Sequence, residues 1–172
     1  MLYSISEYHP WQPTVMSLPP HAKDLRKGRH SEPGGVYLLT WTTEQRWPWF
    51  ANCRLGRQVV QSLRRVHERR MAESLAFVVM PDHVHWLVSL GDAPLAEVMR
   101  QVKSHSGFHV KQAILNEQPK FNGLVWQTGY HDHALRAEED LLEVARYLVM
   151  NPVRAGLVRS VREYPLWDAR WL

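Results

Sequence analysis

Hydrophobic positions change period several times along the chain, and each change predicts an element. After the Gly34-Gly35 break, VYLLTWTT is rich in β-branched and aromatic residues and predicts a first strand. LGRQVVQSLRRVHERR follows the helical period, with Val59, Leu63 and Val66 on one side and Arg57, Arg64, Arg65 and Arg69 largely opposite. The period then drops to two. LAFVVM, from Leu75 to Met80, predicts a strand, Pro81 and Asp82 a turn, and HVHWLVSL the returning strand. A second helix is predicted from near Pro94, with Leu95, Val98, Met99, Val102 and Val110 inward and Arg100, Lys103 and Lys111 outward. VWQTGYHDHALR supplies a fourth strand and AEEDLLEVARYLVMNP a third helix. Glu138, Glu139 and Asp140 suit the positive end of that helix's dipole, and Pro152 makes Asn151 its last expected residue. The order is that of an α+β, ferredoxin-like split β-α-β-β-α-β sheet with an added C-terminal helix.

This order predicts how distant residues meet. The strand holding His83 and His85 would be central, with two amphipathic helices on one face of the sheet. Val84, Trp86 and Val88 point toward those helices, so the two imidazoles share the other face. For Tyr147 to reach the histidines, the third helix must lie against that free face, held by its apolar stripe of Leu141, Leu142, Ala145, Leu148 and Val149. Tyr147 falls roughly 150° from the stripe's centre by the helix period. It shares a helix edge with Asn151, four residues on.

The chain's 172 residues make one domain with a real core. Residues 1–33 carry Pro10, Pro13, Pro19 and Pro20 and predict an extended basic arm; residues 34–172 form the domain. Lys23, Arg26, Lys27 and Arg29 at the arm's end either grip a polyanion or belong to a solvated tail. A formal charge of +4 and a pI near 9.4 favour a polyanionic partner. Six arginines stand against the single acid Glu68 between Arg54 and Arg70, which makes Arg57, Arg64 and Arg65 the best candidates for phosphate contacts. Cys53, the only cysteine, excludes an intramolecular disulfide, fits a reducing cytosol and is expected as a small packed residue. No membrane span or signal peptide is indicated, so a cytoplasmic protein is expected. Trp47 and Trp49, in the RWPWF loop, are the expected exposed tryptophans and could stack bases.

Two ring nitrogens side by side on a strand are a bidentate start to a metal site. Alternatively, His83 and His85 are two half-exposed strand histidines with no ligand, and Tyr147 is a plain rim residue. A phenol, with an ordinary pKa of about 10, is little ionised at neutral pH and needs its electrophile activated. Mg²⁺ or Mn²⁺ on nitrogen and oxygen ligands would polarise a phosphate, with Mn²⁺ the tighter of the two.

PDHVHWLV, VWQTGYHDHALR and ARYLVMNPVRAGLV resemble, in order and spacing, the REP-associated tyrosine transposases, a branch of the single-tyrosine HUH (IS200-like) superfamily. The resemblance covers roughly Gly35 to Pro165. It implies a metal-dependent endonuclease and strand transferase that acts on single-stranded DNA at REP-type palindromic hairpins. His83, His85 and Asn151 would be the metal ligands and Tyr147 the nucleophile, giving a 5′-phosphotyrosine. Many relatives outside this branch have glutamine where this chain has Asn151. The resemblance also points to His133 and Arg136 near the active face or DNA. Lys103 and Arg154 complete the expected DNA-binding set. A monomer is expected, with a dimer as the other state.

Two other readings stay open. A domesticated relative would bind hairpin or single-stranded DNA without cutting it. A zinc hydrolase would join His83 and His85 to His131 or His133 and leave Tyr147 idle.

Overall fold

A computed structural model describes residues 32–136 and 140–171. The arm residues Arg26, Lys27 and Arg29, with Glu138 and Glu139, lie outside the described residues. Five strands form one sheet: β1 (Val36–Thr42), β2 (Ala72–Val79), β3 (His83–Leu90), β4 (His131–Ala134) and β5 (Trp167–Ala169). Their order is β4-β1-β3-β2-β5, and every neighbouring pair is antiparallel. The expected split sheet is therefore present with the histidine strand at its centre. β5, which the hydrophobic pattern did not predict, extends the β2 edge.

One face is covered by α1 (Cys53–Glu68) and α2 (Leu95–Glu117). Alternation on the strands sends Tyr37, Leu39, Trp41, Val84, Trp86 and Val88 to this side, where they pack with Val59, Leu63, Val98 and Val102. Val84, Trp86 and Val88 are fully buried, as the period-two reading required. Asn52 caps α1 by accepting from the Arg54 amide, satisfying one otherwise unpaired donor. Cys53 is exposed at this helix start rather than packed, because the α1 side chains turned inward are Leu55, Val59, Ser62, Leu63 and Val66.

The opposite face holds a smaller core. Leu75, Ala76, Val78, Met80 and Leu87 meet Ala145, Leu148 and Val149 of α3 (Leu141–Val149), together with Ala169 of β5. The apolar stripe thus docks the added helix where the histidines project. Asp140 caps α3, accepting from Leu142 N at 2.8 Å and Glu143 N at 3.3 Å. The helical path does not end at Asn151 as expected. Met150 keeps right-handed helical angles and α4 (Asn151–Arg154) follows at once, with Pro152 in its first turn, where no amide donor is needed.

The remaining differences lie in the loops. The fourth strand is shorter than VWQTGYHDHALR: Val125 and Trp126 belong to the helix-side core, Trp126 makes an isolated bridge to Thr43, Gln127 N donates to Thr42 O at 3.0 Å, and the continuous ladder with β1 is His131–Ala134. In the RWPWF loop Trp47 is exposed, but Trp49 is half-buried, 5.4 Å from the Phe121 ring. Among the described residues no helix is long and apolar enough to cross a membrane.

Candidate active site

His83 and His85 sit on β3 opposite Thr42 and Thr40 of β1, and their Nε2 atoms converge to 3.1 Å. The turn before them is pinned from the loop after β1. Thr43 N donates to Asp82 O at 2.8 Å, and Phe50 N donates to Pro81 O at 2.9 Å. His83 Nδ1 lies 2.6 Å from Asp82 Oδ1, and Asp82 Oδ2 accepts from Arg46 at 2.8 Å. His85 Nδ1 lies 2.9 Å from the Thr40 hydroxyl.

These contacts assign the ring tautomers. A carboxylate only accepts, so His83 Nδ1 carries hydrogen, and in the neutral imidazole Nε2 then holds the lone pair. His85 Nε2–H then donates to that lone pair, and the Thr40 hydroxyl donates to His85 Nδ1. The chain Thr40 to His85 to His83 to Asp82, with Arg46 donating to Asp82 from the far side, is consistent in every direction. Binding a cation at both Nε2 atoms requires only that His85 move its proton to Nδ1, because the Thr40 hydroxyl can rotate from donor to acceptor.

Electrostatics favour an uncharged His85 ring at this place. Burial, then the neighbouring His83 and Arg154 charges, lower the His85 pKa to about 3, against a smaller opposing effect of Asp82. Burial alone would raise the Asp82 pKa, but the hydrogen bonds and charges of His83 and Arg46 outweigh it and hold the carboxyl below its ordinary value. Asp82 stays an anion and His85 stays an uncharged base. Both are the forms a divalent metal site uses.

The helical half of the site is one edge, formed by residues 147, 151 and 154 at spacings of four and three. Tyr147 is 50% exposed. Asn151 Nδ2 donates to Leu148 O at 2.8 Å, and its Oδ1 accepts from Arg154 at 2.8 Å. A carbonyl can only accept and a guanidinium can only donate, so the amide's orientation is fixed by its partners. The Arg154 guanidinium also stacks 3.7 Å from the centroid of the Tyr147 ring.

The two Nε2 atoms could take neighbouring positions on one divalent ion. Neighbouring positions of an octahedral cation with ligands at about 2.1 Å lie roughly 3 Å apart, close to the Nε2 separation. Among the described residues no group of three or more His, Cys, Asp or Glu side chains could hold a metal, so any third donor must be of another kind. His131 faces Thr40 on β1 and is separated from His85 by that strand.

The other expected contacts are scattered. Arg57, Arg64 and Arg65 are exposed on α1, behind the sheet from the histidines, and Arg64 is paired with Glu68 at 2.7 Å. Lys103 does not point outward. Its ammonium donates to Gln127 O at 2.6 Å and Gly129 O at 2.5 Å, holding the loop before β4. His133 and Arg136 are exposed on the β4 edge and just beyond it, with His133 in register with Leu38. Asp82, Arg46 and Thr40 escaped the sequence reading as site residues; only Asp82, adjacent to His83, had a local signal, and it read as a turn.

Residues 34–151 match the family described as Transposase IS200 like. A provisionally named REP-associated tyrosine transposase of Haemophilus influenzae is 24% identical over 138 residues, 77% of this chain and 78% of that protein. The REP-associated tyrosine transposase of Escherichia coli K12 is 29% identical over 103 residues, 59% of this chain and 56% of that protein. In fold, the chain is similar to a solved REP-associated tyrosine transposase bound to a REP hairpin, with a TM-score of 0.63 at 23% identity, covering 81% of this chain and 79% of the other. With the family match spanning most of the chain, this protein belongs to the IS200-like transposases.

Proposed function

We propose that this transposase is a metal-dependent endonuclease and strand transferase acting on single-stranded DNA at REP-type palindromic hairpins. The convergence of two imidazole nitrogens at 3.1 Å on the face that receives the Tyr147 helix carries this reading. His83, His85 and the Asn151 carbonyl oxygen would hold Mg²⁺ or Mn²⁺, and the bound ion would polarise the scissile phosphate. Tyr147 attacks phosphorus through its phenolic oxygen and loses its proton to solvent. The bond from phosphorus to the 3′ oxygen breaks, and that oxygen leaves as a 3′-hydroxyl after taking a proton. The 5′ phosphate stays on Tyr147 as a diester. A strand's 3′-hydroxyl can therefore reverse the step and rejoin DNA without ATP. The names of the E. coli and H. influenzae relatives, and the hairpin held by the solved neighbour, support a hairpin partner.

The test is covalent capture. Incubated with a single-stranded hairpin and Mn²⁺, the wild-type protein is expected to acquire a DNA adduct visible in denaturing gels and assignable by peptide mass. Tyr147→Phe keeps the ring and its stacking and is expected to give neither adduct nor new 3′-hydroxyl end. Cleavage by the phenylalanine variant at the wild-type rate would remove Tyr147 from the reaction. Hairpin binding without cleavage by wild type would instead mark a non-catalytic DNA-binding protein.

A further inference from the structure

The Asn151 oxygen proposed above as the third metal ligand is already engaged by a positive charge. Arg154 donates to it at 2.8 Å and stacks on Tyr147 at 3.7 Å. Among the described residues no carboxylate pairs with Arg154, whose ring and amide partners are both neutral. Arg154 is exposed, so its long side chain can leave without opening the core. A guanidinium and a divalent cation cannot share one amide oxygen without strong repulsion in a half-buried place. The same guanidinium is suited to a phosphate, which it can grip with two parallel hydrogen bonds.

We propose that Arg154 is a gate that couples metal binding to DNA binding: it holds Asn151 and Tyr147 in the DNA-free protein and transfers to a strand phosphate when DNA enters, releasing the Asn151 oxygen to the metal. This rests on the metal reading of His83, His85 and Asn151. Tyr147 and Asn151 stay aligned through one contact network until substrate arrives, and the transfer frees both together. Because binding free energies are reciprocal, DNA that draws Arg154 away must tighten metal binding, and metal must tighten DNA binding by the same factor. Arg154 is thus a positioning residue as well as a phosphate contact.

The experiment measures Mn²⁺ affinity calorimetrically, without turnover, in the Tyr147→Phe background that keeps the ring. Arg154→Ala and Arg154→Gln are each compared with the Arg154 parent, free and with a single-stranded hairpin oligonucleotide. The glutamine variant keeps a donor within reach of Asn151 but no charge, and thermal melting checks that each variant folds. Without DNA, both variants are expected to bind Mn²⁺ at least about fivefold more tightly than the parent, the lower end of ordinary coupling between sites. The hairpin is expected to tighten Mn²⁺ binding in the parent, and in Arg154→Ala to do so less. Equal or weaker Mn²⁺ binding by folded variants without DNA would overturn the gate while leaving the metal reading intact. Mn²⁺ binding that survives His83→Ala unchanged would instead overturn the metal reading, and the gate with it.

Discussion

Asp82→Asn should weaken metal binding far more than it weakens the fold. The carboxylate spans 2.6 Å to His83 Nδ1 and 2.8 Å to Arg46, and it fixes the tautomer that leaves His83 Nε2 free. An amide can accept from only one of these donors, and its own NH₂ group would then face the other. The favoured hydrogen on His83 Nδ1 loses its anionic acceptor, and the ring becomes a weaker base at Nε2. Outer partners of metal-bound histidines are worth about 10- to 100-fold in affinity, or roughly 1.4 to 2.7 kcal/mol. The stability cost is smaller, because the Arg46 side chain is 42% exposed and its unpaired charge can be hydrated. A loss of about 1 kcal/mol or less is expected, a shift of roughly 2–4 °C in melting temperature for a chain of this size. Backbone contacts at the turn survive, since Thr43 bonds the main-chain oxygen of residue 82 and not its side chain. Calorimetric titration of DNA-free protein with Mn²⁺, beside a thermal melt, separates the two effects. Arg46→Ala should weaken Mn²⁺ binding less than Asp82→Asn and add little in the double variant, because it acts through the same carboxylate. Wild-type Mn²⁺ affinity in a folded Asp82→Asn protein would refute this account of the histidine pair.

Leu148→Ala removes a fully buried anchor of α3 and should cost about 2–5 kcal/mol, with adduct formation lost before the sheet melts; adduct yield against temperature, beside circular dichroism, checks the order. His85 has a folded pKa near 3, below the unfolded value, so its contribution is fully present above about pH 6.5 and lost on acidification as the unfolded chain takes the proton. For this group alone, stability of metal-free protein should fall by roughly 2–3 kcal/mol between pH 6.5 and 4.5, and His85→Gln should flatten that slope in denaturant titrations. Replacing Arg57, Arg64 and Arg65 together by alanine should leave Mn²⁺ affinity unchanged, since α1 lies behind the sheet. If they touch phosphates, the salt slope of single-strand binding should drop by roughly 2; an unchanged slope would show that the DNA stays on the histidine side.

The elements that period and stripe could specify were legible in the sequence. Alternation along HVHWLVSL put the imidazoles opposite Trp86 and Val88, and the Ala145-Leu148-Val149 stripe docked α3 on the histidine face. β5 was not legible, because Trp167–Ala169 is too short to show a period and is held from outside. Leu166 O accepts from Val79 N, and the Tyr164 hydroxyl donates to Val79 O at 2.7 Å. Arg46 and Thr40 were invisible for a related reason: their roles come from partners 36 and 45 residues away. Lys103 shows how helix position alone misleads. A lysine between buried turns read as solvated, yet the loop before β4 brings two carbonyls within its reach.

The path of the chain after Val149 explains how one short segment can place three side chains on one edge. A helix stopped at Asn151 would leave Arg154 in an unrelated loop direction. Met150 stays helical, and Pro152 falls in the first turn of α4, where its missing N–H costs no hydrogen bond. The backbone therefore continues far enough for Tyr147, Asn151 and Arg154 to share one edge, tied by the amide bond and the stacked guanidinium. The histidines belong to the sheet and this edge to a docked helix, so the site exists only while Leu148 and Val149 remain packed on Val78 and Met80. Geometry on the histidine side is fixed by the β1-β3 register and the pinned turn before His83. On the helical side it depends on a small apolar contact that can be weakened without unfolding the larger core behind the sheet.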